Sequence, residues 1–186
     1  MYMEKINEPK YIERILEGEI NLFSYFSVRY SKSIFALILR IVVVREDAEE
    51  LTQDVFVKAF EKLHTFKGDC SFSTWLFRIA YNKAISATRK TKTIYYVIDE
   101  NQLENIQDDV VDRIFENDDN ENQLQKLELA IEKLNVEDKT LISLYYLDEK
   151  SIADVAMVLG ISADNVKIKL YRVRKKLFVL MNNPEL

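Results

Sequence analysis

Lys167, Lys169, Arg172, Arg174, Lys175 and Lys176 crowd one short stretch near the C-terminus, where Asp164 is the single acid between Ala163 and Leu177. Side chains of this kind neutralise phosphate rather than make or break bonds. A second basic run holds Lys67, Arg78, Lys83, Arg89, Lys90 and Lys92 against Asp69 alone. Between the two runs the stretch Tyr95–Gln125 is acidic, with Arg113 as its only base. The net charge of −5 over 186 residues therefore hides two basic segments flanking an acidic one. A nucleic acid feels the local field of such segments, not the global sum. Taken alone, the C-terminal run also fits a solvated helix face or, from its spacing, a coiled coil. Covalent chemistry has little to work with. Cys70 and His64 are the single cysteine and histidine, and one of each cannot complete a four-coordinate metal site. No catalytic constellation, metal or cofactor is expected.

The elements that must position these charges are helical. Pro9 and Pro184 are the only prolines, so the strongest helix breaker is missing from the interior of the chain. The expected fold class is all-α: two small helical domains joined by an acidic linker. Lys10 to Leu63 reads as two or three helices. Phe23, Phe26, Tyr30, Ile34, Leu37, Ile38 and Ile41 recur at spacings of three and four, an amphipathic stripe. Asp47 is expected to cap the next helix with Glu50 as its capping-box partner. Leu51, Val55, Ala59 and Leu63 would line that helix's inner face. His64 to Ser71 is a loop around Gly68, and the following helix is expected to turn Trp75, Ile79 and Ala80 inward. Residues 93–121 have weak periodicity and read as the linker. Leu124, Leu127, Ala130, Ile131 and Leu134 then mark a helix of a second domain, and Asn135 can cap the next, ending near Leu147.

Ser151 and Ser162 are natural N-caps of two successive helices. Gly160 supplies the turn between them, where a left-handed backbone is cheap for glycine. Ala156 is small where the helices must cross. Val155, Leu159, Ile161 and Val166 are the apolar contacts the unit needs. Together these mark a helix-turn-helix. At about 100° per residue, Val166, Leu170, Val173 and Leu177 share one face of the second helix. Lys167, Ile168, Tyr171, Arg172 and Lys175 project from the other. Cations for phosphate and an apolar side chain for thymine methyls are what a major groove requires.

The N-terminal half narrows this further. The stretch "DAEELTQDVFVKAFEKLHTFKGDCSFSTWLFRIAYNKAISATRK" (residues 47–90) and the stretch "LGISADNVKIKLYRVRKKL" (residues 159–177) occur in this order. In both, the chain resembles the extracytoplasmic-function (ECF) group of bacterial RNA polymerase sigma factors, over about Ile12 to Leu180. The resemblance implies a sigma region 2 helical domain over residues 10–92 and a sigma region 4 helix-turn-helix domain over residues 122–183. It implies that Glu50, Gln53 and Asp54, sharing a helix face at i, i+3 and i+4, dock on the beta-prime clamp of core RNA polymerase; read without the family, a solvated acidic face explains them better. It implies that Phe66, Lys67, Gly68 and Asp69 form a loop holding one unpaired base of the minus-ten promoter element, that Asn82 reads that base, and that Arg78, Lys83, Arg89 and Lys90 hold phosphates. Trp75 belongs to the family pattern too, but a core anchor explains it better. Lys167, Ile168, Tyr171, Arg172 and Lys175 fall to the minus-thirty-five element. Ile168 stands where family members often carry a small polar residue.

The implied partners are core RNA polymerase (beta-prime clamp and beta flap), promoter DNA and an inhibitory anti-sigma factor. The linker is implied to run through polymerase channels otherwise used by template or nascent RNA, where its acids would mimic RNA charge. The protein would act as an alternative sigma factor without catalysis of its own. The most apolar stretch, Ile34 to Val44, is interrupted by Arg40 and too short to span a bilayer. No signal peptide is evident, and a lone cysteine fits a reducing compartment, so a soluble, cytoplasmic protein is expected. Two other functions fit part of the sequence. A stand-alone helix-turn-helix regulator shares the C-terminal signature but would carry a receiver or sensing domain, of which residues 12–92 give no sign. A helical adaptor or anti-sigma protein explains the acidic helix but not the paired basic surfaces.

Overall fold

The structure, a computed structural model, describes residues 7–88 and 121–182, and every regular element among them is helical. The acidic linker, together with Arg89, Lys90 and Lys92, lies outside the described residues. The chain divides into two compact units, built mainly on residues 7–88 and on residues 121–156 with 161–182.

In the N-terminal unit, α1 (Glu8–Leu16) starts at Asn7, whose side chain accepts the Lys10 N–H at 3.3 Å, and carries Pro9 in its first turn. The Tyr30 hydroxyl donates to Glu8 Oε1 at 2.6 Å and ties α1 to α2 (Phe23–Val42). Burial, followed by the neighbouring Glu8 carboxylate, pushes the Tyr30 phenol up to about 12. The expected stripe on α2 is buried at Phe23, Phe26, Ile34, Leu37, Ile38 and Ile41 and half-buried at Tyr30. It packs on both α3 (Arg45–Lys62) and α4 (Phe72–Thr88). On α3 the buried residues are Ala48, Thr52, Val55 and Ala59. Small side chains at these spacings let α3 approach its neighbours closely, and the Thr52 hydroxyl is satisfied by donating to the Ala48 carbonyl at 2.6 Å. On α4, Phe72 meets Phe26 with ring centroids 4.2 Å apart.

Two expectations change here. Asp47 is not the cap of α3. The helix starts at Arg45 with Val44 at the N-cap and no side-chain cap, so Asp47 sits within the first turn, where its charge favours the helix dipole. The reason lies in Val43. It has φ 69° and ψ −37°, and the Val44 N–H donates to the Val42 carbonyl at 2.8 Å, a γ-turn that turns the chain into α3 early. A β-branched residue at positive φ is strained by about 1–3 kcal/mol. Its side chain is 74% exposed, so packing does not repay that strain. Val43→Gly is expected to stabilise the N-terminal unit by about 1 kcal/mol, the relief of strain less the entropy cost of glycine. Chemical denaturation checks this, and a lower midpoint for the variant would contradict it. The second change concerns Trp75 and Ile79. They are half-buried, and the inner face of α4 is instead Phe72, Thr74, Leu76, Phe77, Ala80 and Ala84.

The C-terminal half of the chain contains α5 (Glu121–Lys133), α6 (Val136–Ile142) continued by a π-helical turn (Ser143–Leu147), α7 (Ile152–Leu159) and α8 (Ala163–Met181). All three expected caps form. Asn135 Oδ1 accepts the Asp138 N–H at 2.8 Å, Ser151 Oγ the Asp154 N–H at 3.1 Å and Ser162 Oγ the Asn165 N–H at 3.2 Å. Gly160 has φ 70°, and the Ile161 N–H donates to the Ala156 carbonyl at 3.1 Å, closing α7 as a glycine C-cap does. Val166, Leu170, Val173 and Leu177 are buried as their spacing requires. Of the apolar face expected on α5, Ala130 and Leu134 are buried, whereas Leu124 is 60% exposed.

Candidate nucleic-acid and partner interfaces

Three surfaces take shape from these helices. The first is the outer strip of α3. Glu50, Gln53 and Asp54 are all exposed on it, because the inward positions of the same helix are filled by Ala48, Thr52, Val55 and Ala59. One more turn along the strip comes Val57, 59% exposed and seven residues from Glu50. Charge patterning passed it over; the spacing i, i+3, i+4, i+7 would have found it.

The second surface is an open groove of about 710 Å³ between α3 and α4, within the span of about 300–1,000 Å³ usual for small-molecule sites. Leu51, Trp75 and Ile79 give it apolar walls, Asn82 and Ser86 give it polar groups, and Lys58, Lys62 and Lys83 give it cations. Trp75 lines this groove on one side and packs against Phe66 and Phe72 on the other. The Phe66, Phe72 and Trp75 rings pack on one another, with centroids 5.4 Å apart for Phe66 and Trp75, 5.9 Å for Phe66 and Phe72, and 5.6 Å for Phe72 and Trp75. Trp75 is thus a groove wall as well as the core contact expected of it, half-buried against the buried Phe72. The structure brings Asn82 and Lys83 together at the groove and sets Phe66 behind its wall. Lys67, Gly68, Asp69 and Arg78 are exposed but do not line it. Lys58 and Lys62 were missed because they stand in a mixed-charge helix and outside both basic runs. Asp54 and Lys83 form a hydrogen-bonded ion pair that joins the α3 strip to the groove.

The third surface is the outer face of α8. Lys167, Ile168, Tyr171 and Arg172 are exposed, Ile168 by 51% and Tyr171 by 42%. Lys175 departs from expectation. It is only 7% exposed, with its ammonium 4.6 Å from the Tyr171 ring centroid. One turn after Tyr171, its stem folds in along the helix and its charge lies against that ring instead of facing solvent. The other cations of α8 divide in a way composition did not reveal. Lys169 pairs with Glu137 at 3.4 Å, the Arg174 Nε donates to the Tyr146 hydroxyl at 2.7 Å, and Lys176 reaches the buried Asp138. Asp138 also accepts from Asn135 Nδ2 at 3.0 Å, so this buried carboxylate is both paired and hydrogen-bonded. These three cations hold α8 to the α6 segment. The outward charge of the helix is carried by Lys167, which pairs on the surface with the exposed Asp164 at 3.3 Å, and by Arg172.

An aromatic and aliphatic wall beside a carboxamide and three ammonium groups can hold an unpaired base by its face, read its edge and neutralise its phosphate. A solvent-facing basic helix after a glycine turn fits a major groove. Residues 27–94 match the model of Sigma-70 region 2 and residues 124–177 that of Sigma-70 region 4. The chain is 30% identical over 178 residues to the ECF RNA polymerase sigma factor SigW of Bacillus subtilis, covering 90% of this chain and 93% of that protein. To the ECF RNA polymerase sigma-E factor of Escherichia coli K12 it is 27% identical over 180 residues, covering 92% and 93%. Among solved structures, the fold is similar to that of CnrH in its complex with the cytosolic domain of CnrY, with a TM-score of 0.65 at 23% identity over 92% of this chain and 95% of that one. It is also similar to that of the sigma factor RpoE of Bartonella quintana, with a TM-score of 0.62 at 21% identity over 87% and 98%. No helix among the described residues is long and apolar enough to cross a membrane. Sigma factors are a non-catalytic family of transcription factors. The chain belongs to the ECF RNA polymerase sigma factors and is an alternative sigma factor, which binds core polymerase and directs it to promoters in transcription initiation.

Proposed function

We propose a division of labour among the three surfaces. Residues 10–92 bind the polymerase and the minus-ten element, residues 122–183 bind the minus-thirty-five element, and residues 93–121 link them. Glu50, Gln53 and Asp54 dock on the beta-prime clamp, with Val57 as an apolar contact one turn farther along the strip. The α3–α4 groove captures an unpaired minus-ten base. Trp75 and Ile79 supply its walls, Asn82 reads the base edge, and Lys58, Lys62 and Lys83 neutralise phosphates, with Lys67, Arg78 and the loop at Gly68 and Asp69 extending the contact. On α8, Lys167 and Arg172 hold phosphate or guanine, while Ile168 and Tyr171 make the apolar base contacts. Lys175 acts through Tyr171 by holding its ring. The observation that carries this assignment is the groove, because it puts the one carboxamide suited to base reading beside a half-buried tryptophan and three lysines.

The protein has no covalent chemistry of its own; the polymerase supplies catalysis, and the site of action is the cytoplasm. The beta flap is the second polymerase contact. An anti-sigma factor is the expected inhibitor, supported by the solved complex of the fold relative RpoE with the anti-sigma factor NepR. The test is selection of bound sequences from a random duplex library by the reconstituted holoenzyme. Two unlike motifs at fixed spacing are expected. A single palindrome bound equally well without polymerase would instead identify a stand-alone helix-turn-helix dimer.

A further inference from the structure

Asp54 and Lys83 belong to different surfaces, yet their side chains are bonded to each other. Asp54 stands on the outer strip of α3 with 52% of its side chain exposed; Lys83, 31% exposed, follows Asn82 on the rim of the groove. Neither is buried, so each is reachable by a partner, and no burial cost locks the pair closed. A carboxylate that neutralises Lys83 reduces what that ammonium offers a phosphate. A cation presented by a docking protein at Asp54 competes with Lys83 for the same oxygens. We propose that Asp54 is shared. In the free protein it is the counter-ion of Lys83, and docking on core polymerase draws it away, leaving Lys83 to a promoter phosphate. The pair thus makes DNA binding at the groove stronger once polymerase is bound. By reciprocity, it makes polymerase binding stronger by the same factor once DNA is in place. The coupling is about two- to fivefold, the range an exposed ion pair can carry. It rests on the assignment of Asp54 to polymerase and of the groove to promoter DNA.

The test measures binding of fluorescein-labelled single-stranded oligothymidylate to the full chain without polymerase, by anisotropy at low salt. Asp54→Asn is expected to bind about two- to fivefold tighter than the wild type. In a Lys83→Met background the same change is expected to have no effect. Glu49→Gln removes one charge from the same helix at a residue paired with Arg45, and is expected to fall short of the Asp54→Asn gain. An Asp54→Asn affinity equal to wild type, matched by Glu49→Gln, or unchanged by loss of Lys83 would overturn the shared role. Affinity of Asp54→Asn for core polymerase is read in parallel. If it drops while DNA binding is unchanged, the docking assignment stands and the sharing fails. If DNA binding tightens while core affinity is unchanged, polymerase does not use Asp54 and the sharing again fails.

Discussion

Glu50→Lys combined with Gln53→Lys is expected to lower affinity for core RNA polymerase by about a hundredfold or more, since like charges set against each other across an interface cost several kcal/mol. Both residues are exposed and neither touches the small-residue face that packs α3. The helix should therefore form as before, and the thermal unfolding curve should move little. The change is confined to the strip proposed to meet the clamp. Co-elution with core polymerase on size exclusion, followed by competition against the wild-type chain, measures the effect. Wild-type affinity in a folded variant would remove the α3 strip from the docking surface.

Asn82→Ala is expected to slow open-complex formation by about tenfold or more, the value of one good side-chain contact to a base edge. The groove walls remain, so stacking persists and the loss is that of edge hydrogen bonding. Arg172→Ala, on the other unit, is expected to weaken binding through the upstream element and leave the opening step alone. Fluorescence of 2-aminopurine placed at the opening bases separates the two variants, because it reports unstacking rather than occupancy. If mutating each promoter element affected both variants alike, the proposed assignment of one element to each unit would fail.

Local chemistry announced much of this. Ser151, Ser162 and Gly160 mark the helix-turn-helix because caps and positive-φ turns are decided by the residue itself. The α2 stripe is legible because a single period fixes it. What stayed hidden depends on partners distant in sequence. Asp47 and Glu50 carry a capping pattern, but the start of α3 is set by a γ-turn at Val43, which no residue type signals. Trp75 packs on Phe72 as a core residue would, but its second role as a groove wall appears only when α4 lies beside α3. Lys169, Arg174 and Lys176 swell the basic run until folding sets them against Glu137, Tyr146 and Asp138, and Lys175, expected at the DNA face, lies against Tyr171. Lys58 and Lys62 become part of a basic groove only when α4 lies beside α3. Charge runs therefore overstated one interface and understated the other. The error arose because composition counts charges without saying which ones the fold consumes.

This chain is expected to convert core polymerase into a promoter-specific enzyme through surfaces on both units. The most direct test is reconstituted run-off transcription on templates recovered from the holoenzyme selection. The full chain should produce a transcript from one defined start that core polymerase alone does not make. The Glu50→Lys, Gln53→Lys variant should abolish it. The opposite result, no transcript above that of core alone or an equal transcript from the doubly substituted variant, would contradict the account.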